Sequence, residues 1–126
     1  MIEDYIDGIR VFRLAEKPAK HSILTDSVFL DSSDIAKSLR IAQRIKSTQL
    51  YIAGEYLLDN IEFIDQFDLR WVRGLYISRQ IKDMSPVYKL DALTHLVLPS
   101  GGKVNFEFDK LPNLTLLGAE WSKGFV

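Results

Sequence analysis

The chain has no cysteine and only two histidines among its 126 residues. Without thiols it can form neither a disulfide framework nor a thiolate metal site, and this composition suits a reducing compartment. Two histidines are too few for a multi-histidine metal centre, and no H-E-x-x-H spacing is present. We therefore expect neither a metal nor a cofactor.

The chain also has no excess of charge of either sign. Its 16 basic and 17 acidic residues give a net charge of -1, whereas general binders of nucleic acids or anionic membranes normally carry a basic excess. No apolar run reaches the length of about 18 residues that a membrane-spanning helix needs. The first residues form neither the basic nor the apolar part of a signal peptide. These absences predict a cytoplasmic protein that binds no nucleic acid and no membrane.

Motifs of catalysis are missing as well. No nucleophile elbow or cofactor fingerprint occurs, and the glycines before Lys103 lack the spacing of a phosphate-binding loop. We expect no catalytic residues and a protein that is not an enzyme.

Pairs of apolar residues recur along the chain at spacings of 19 to 25 residues. Within each pair, one residue separates the two apolar members. In a β-strand the two members of such a pair point to one face, and the residue between them points to the other. With 47% hydrophobic residues, the length suits a single domain over residues 1–126. The pairs are Ile9 and Val11, Val28 and Leu30, Leu50 and Ile52, Leu75 and Ile77, Leu96 and Leu98, and Leu117 and Ala119.

The pattern resembles the leucine-rich repeat, whose core reads L-x-x-L-x-L and is matched in full by residues 72–77 and 93–98. The resemblance implies an α/β solenoid, a right-handed coil with about six short parallel strands on one face and helices, turns or short strands on the other. Ser33, Glu55 and Gln80 stand where the family normally has asparagine. The repeat is therefore degenerate.

Local signals predict what lies behind the strands. Residues 31–34 are a run of helix N-cap types, and the apolar spacing that follows predicts a helix from Ile35 to Ile45. The basic residues of that helix fit a solvated face. A second helix-like apolar series runs from Leu57 to Phe67, and the alternation in residues 103–109 favours a short strand over a helix.

Aromatic residues occupy the same outward position on three neighbouring predicted strands, at Phe29, Tyr51 and Tyr76, with Asp31 following the first of them. Aromatic residues dominate the energetic centres of protein interfaces. They also favour β-sheets through propensity and cross-strand stacking. A partner-binding face and ordinary sheet packing both fit this row.

An acidic stretch follows the third strand. Between residues 47 and 69 there is no lysine or arginine, and the carboxylates are Glu55, Asp59, Glu62, Asp65 and Asp68. A solvated surface is one explanation, and a surface that attracts a basic partner is the other.

A small cysteine-free repeat protein with an aromatic face and an acidic surface has what a protein-binding module needs. It resembles the small degenerate solenoids found among bacterial immunity proteins of polymorphic-toxin and contact-dependent growth inhibition systems. That resemblance implies binding and neutralisation of a secreted, basic toxin domain such as a nuclease, by blocking its active or substrate-binding surface. The predicted contacts are Phe29, Asp31, Tyr51, Tyr76, Glu55, Asp59, Glu62 and Asp65. A structural or regulatory adaptor is the alternative, and a small enzyme is the third reading.

Overall fold

The computed structural model of the protein describes residues 2–13, 26–98 and 110–119. Within these ranges seven strands form one sheet, in which the spatial order follows the chain. The strands are β1 (Ile2–Ile6), β2 (Ile9–Arg13), β3 (Ser27–Phe29), β4 (Gln49–Ile52), β5 (Gly74–Ile77), β6 (His95–Leu98) and β7 (Leu116–Ala119).

The sheet is mixed, and the predicted solenoid of about six parallel strands is wrong. Strands β1 and β2 form an antiparallel hairpin, β2 is again antiparallel to β3, and only β3 to β7 run parallel. The antiparallel pairing of β1 with β2 has its reason at Asp7 and Gly8, whose φ angles of 50° and 85° are left-handed. Such a two-residue turn reverses the chain at once, whereas parallel neighbours need a long crossover.

The structure confirms the helix predicted after the N-cap run. Helix α1 spans Ile35–Arg44, and the side chain of Asp34 accepts a hydrogen bond from the backbone N–H of Lys37 at 3.1 Å. That bond satisfies one of the amides that a helix N-terminus leaves without a partner. Leu39, Ile41 and Ala42 are buried against the sheet side of the molecule.

The second predicted helix, over residues 57–67, is wrong. Only a 3-10 helix at Glu62–Asp65 forms there, and the side chain of Leu57 is 73% exposed. Hydrogen bonds to neighbouring segments hold this stretch in another conformation, and one of them occupies a carbonyl that a helix would use. The amide of Leu57 donates to Ser32 Oγ at 2.9 Å, and the carbonyl of Asp59 accepts from the amide of Lys82 at 2.9 Å.

The core lies between one face of the sheet and the segments behind it. Within β4 to β6 both members of every apolar pair are at most 2% exposed, as the alternation predicts. A further 3-10 helix at Ser85–Lys89 and the buried ring of Tyr56 pack on this side of the sheet. The residue between the two members of each apolar pair lies on the opposite face of the sheet. The strand predicted within 103–109 lies outside the described residues.

Within the described part of the chain, no helix combines the length and the apolar character needed to cross a membrane.

Candidate protein-binding face

The three aromatic residues predicted to share a face form one stack. Phe29 is in register with Tyr51, and Tyr51 with Tyr76. The ring centroids of Phe29 and Tyr51 are 4.8 Å apart with planes 15° from parallel, and those of Tyr51 and Tyr76 are 4.6 Å apart at 16°. The spacing is that of neighbouring strands, so parallel in-register pairing alone places the rings in a row. We call these three rings the ring row.

The antiparallel strand β2 closes one end of the ring row. The Arg10 guanidinium carbon lies 3.7 Å from the centroid of the Phe29 ring, and Phe12 meets the same ring edge-on at 4.8 Å. Arg10 Nε donates to Glu55 Oε2 at 2.9 Å, which fixes the guanidinium in place. Phe29 is consequently only 4% exposed. It supports the row and is covered from solvent.

Tyr51 and Tyr76 remain partly exposed. Burial raises the pKa of the Tyr51 hydroxyl, an effect that a hydrogen bond from Ser27 partly offsets, and burial likewise raises the pKa of Tyr76. Both side chains are therefore neutral phenols at physiological pH. They offer ring surface together with a hydroxyl group.

Gly74 makes room for the last ring. A Cβ atom there would lie 3.1 Å from Cε2 of Tyr76 and 3.1 Å from Cγ of Gln49. These distances are shorter than ordinary van der Waals contacts. Because Gly74 has no side chain, the Tyr76 ring packs directly against the strand backbone.

Two depressions flank the ring row. One of about 230 Å³ brings Phe29, Asp31 and Glu55 together, and it is also lined by Tyr5, Gly8, Ile9 and Arg10. The other, of about 340 Å³, is lined by Tyr51, Tyr76, Ile77, Ser78 and Val97. The predicted contact residues of the sheet face thus divide between the two.

The side chain of Asp31 forms hydrogen bonds within the turn before α1. Its carboxylate accepts hydrogen bonds from the backbone N–H of Ser33 at 2.9 Å and from Ser33 Oγ at 2.6 Å. These bonds lower the pKa of Asp31. The residue forms the turn that leads into α1, and its carboxylate stays ionised beside the first depression.

Bases compensate the acidic stretch, contrary to what its own sequence indicates, and three of the four come from other segments. Glu55 pairs with Arg10 at 2.9 Å, Asp59 with Lys82 at 3.0 Å, Asp65 with Lys89 at 2.5 Å and Asp68 with Arg70 at 2.7 Å. Glu62 is exposed, and within the described residues no lysine or arginine forms an ion pair with it. Of the four contacts predicted within this stretch, only Glu55 is joined to the ring row. Asp59, Glu62 and Asp65 lie in the segment that connects β4 to β5.

Arg10 is a member of this site that the sequence analysis did not single out, although its position between Ile9 and Val11 puts it on the outward face of the strand. The signal that could have found it is the dipeptide Asp7-Gly8, which is typical of a tight hairpin. A hairpin there pairs β1 with β2, and the antiparallel pairing of β2 with β3 then places Arg10 over Phe29.

Across the described ranges, no group of three or more histidine or acidic side chains could hold a metal ion. Comparisons with protein-family models, with curated proteins and with solved structures find no match to this chain.

Proposed function

We propose that the protein is a protein-binding module that uses the exposed side of the ring row, and that it is an immunity protein. In this proposal it acts in the cytoplasm, without cofactor or catalysis, and neutralises a cognate toxin domain by covering its active or substrate-binding surface. The observation that supports binding is the ring row itself, in which two tyrosines are stacked and partly exposed.

A stacked row suits recognition because it is already in its binding conformation. Ordering a flexible side chain at an interface costs about 0.5 to 1.5 kcal/mol. Tyr51 is held between two rings, and Arg10 and Glu55 fix the far end of the row. Rigid tyrosines with ring surface and a hydroxyl are typical centres of binding energy.

The carboxylates of residues 47–69 bear on electrostatic attraction of a basic partner. Ion pairs neutralise four of the five carboxylates in residues 47–69, which leaves Glu62 as the carboxylate most able to attract a basic partner. We therefore expect Glu62→Lys to slow association more than Asp59→Lys does when each is compared with wild type at low salt. Equal rates for Glu62→Lys and wild type would remove this residue from the interface.

The first experiment is capture of a partner. Tagged protein co-expressed with its neighbouring reading frames is recovered, and mass spectrometry identifies what remains bound at equal stoichiometry. A recovered toxin-like domain whose activity falls when purified protein is added supports the immunity proposal. Recovery of a housekeeping complex instead would favour an adaptor.

A double variant then locates the surface. Tyr51→Ala with Tyr76→Ala should raise the dissociation rate about tenfold or more, because each ring at an interface centre contributes on the order of 2 kcal/mol. The matched control is Leu57→Ala with Leu58→Ala, which removes two exposed apolar side chains outside the ring row. Circular dichroism checks the fold of both. Normal binding by the tyrosine variant would overturn the proposed face.

A further inference from the structure

The ring row stops abruptly at Tyr76. The next residue in register is Val97, and the one after it is Gly118, which has no side chain. Neighbouring strands are about 4.8 Å apart, so the side chains become smaller, from tyrosine to valine to glycine, across two strand spacings. The depression of about 340 Å³ lies next to Tyr76 on this side, with Tyr76, Ser78 and Val97 in its wall. We call this depression the step.

The opposite end of the row shows which group such a ring face accepts. There a guanidinium lies 3.7 Å from the centroid of Phe29, almost in contact with the ring. The face of an aromatic ring carries partial negative charge, which attracts a cation. A planar, weakly hydrated guanidinium stacks on such a face better than the compact ammonium of lysine does.

We infer that the step beyond Tyr76 receives an arginine side chain of the partner, whose guanidinium stacks on Tyr76 above Val97. This inference rests on the proposed function and specifies the chemistry of its partner. The partial negative charge of the Tyr76 ring face supports it, and the contact of Arg10 with Phe29 is the same pairing within this chain. Arg10 cannot fill the step, since it is bound to Glu55 at the other end of the row.

Short synthetic peptides that alternate glycine with arginine, with lysine or with citrulline test the inference. Citrulline keeps the planar shape of arginine without its charge. Titrations follow the nuclear magnetic resonance signals of the Tyr76 ring in the full chain, assigned by Tyr76→Phe. We expect the arginine peptide to bind about threefold or more tightly than the lysine peptide, and the citrulline peptide to bind least. Equal affinities for arginine and lysine would overturn the inference, and tightest binding of citrulline would assign the step to a neutral planar group.

Two variants tie the preference to the step. Val97→Met and the exposed Ser78→Met each place a longer side chain without a ring in the depression while leaving Tyr51 and Tyr76 in place, and either one should abolish the preference for arginine. Leu57→Met is the matched control and should retain it. Retention of the preference in both filled variants would also overturn the inference.

The outcomes separate this inference from the proposed function. If the captured partner depends on Tyr51 and Tyr76 but the peptides show no preference for arginine, the binding face stands and the arginine is wrong. If the captured partner binds the tyrosine double variant normally, the proposed face fails whatever the peptides show.

Discussion

The guanidinium of Arg10 lies on the ring of Phe29, 3.7 Å from its centroid, although the two residues belong to strands that run in opposite directions. Arg10 reaches this place because β2 pairs antiparallel with β3, in a register that sets Val11 opposite Val28. Glu55, from the loop after β4, holds the guanidinium at 2.9 Å. The N-terminal hairpin is therefore part of the candidate site and covers one end of the ring row.

Replacing Arg10 by lysine should destabilise the fold. Arg10→Lys removes the planar group that stacks on Phe29, and we expect a loss of about 1 kcal/mol in the free energy of unfolding. Urea denaturation measures it. Arg44→Lys is the matched control, because Arg44 pairs with Asp7 at 3.4 Å on an exposed surface, and it should change stability by about 0.5 kcal/mol or less. Equal effects of the two changes would mean that the stacking contributes nothing.

The middle ring of the row should matter most for stability. Tyr51→Ala removes both stacked contacts and leaves a gap, and we expect it to cost about 2 to 3 kcal/mol. Tyr51→Phe keeps the ring and loses only the hydroxyl contact with Ser27, so it should cost about 1 kcal/mol or less. Thermal denaturation of the two variants compares them. If Tyr51→Phe were as harmful as Tyr51→Ala, the hydroxyl and not the stack would hold the row.

The hairpin turn requires glycine at position 8. Gly8 has a φ of 85°, a left-handed value that a side chain disfavours, so Gly8→Ala should destabilise the fold by about 1 kcal/mol. Gly54→Ala is the matched control, since a Cβ atom there would meet nothing within 4 Å. Chemical denaturation gives both values. A neutral Gly8→Ala would show that the turn tolerates another geometry.

Tyr56 should titrate far above the usual range. Burial, with a smaller contribution from the charge of Glu62, raises the pKa of Tyr56 to about 12, and its hydroxyl donates to the carbonyl of Asn60. The unfolded value is about 10. Because the folded pKa is the higher one, this stabilisation is fully present below about pH 10 and is lost as the pH rises through about 12.

Ultraviolet absorbance of phenolate measures this titration, with far-ultraviolet circular dichroism to confirm that the chain is still folded. Tyr56→Phe should remove the component with a midpoint near pH 12, whereas Tyr5→Phe, at a residue that is 62% exposed, should leave it in place. A Tyr56 that titrated near pH 10 in the folded protein would contradict the prediction.

The sequence by itself determined the local elements. Alternation placed the apolar members of the first five pairs in the core. N-cap residues and helical spacing located α1, and the shared outward position of Phe29, Tyr51 and Tyr76 put them in one row. These features depend on periodicity and on side chains close in sequence, and both can be read from one chain.

Tertiary structure decided the direction of β2, the conformation behind the strands and the charge of the surface. Alternation looks the same in a strand of either direction, so the spacing of the apolar pairs could not show that β2 runs antiparallel to β3. Local spacing favoured a helix where the Leu57 amide donates to Ser32 Oγ and the Lys82 amide donates to the carbonyl of Asp59. Lys82 and Lys89 neutralise Asp59 and Asp65 only because neighbouring segments pack side by side, which brings together charges more than twenty positions apart.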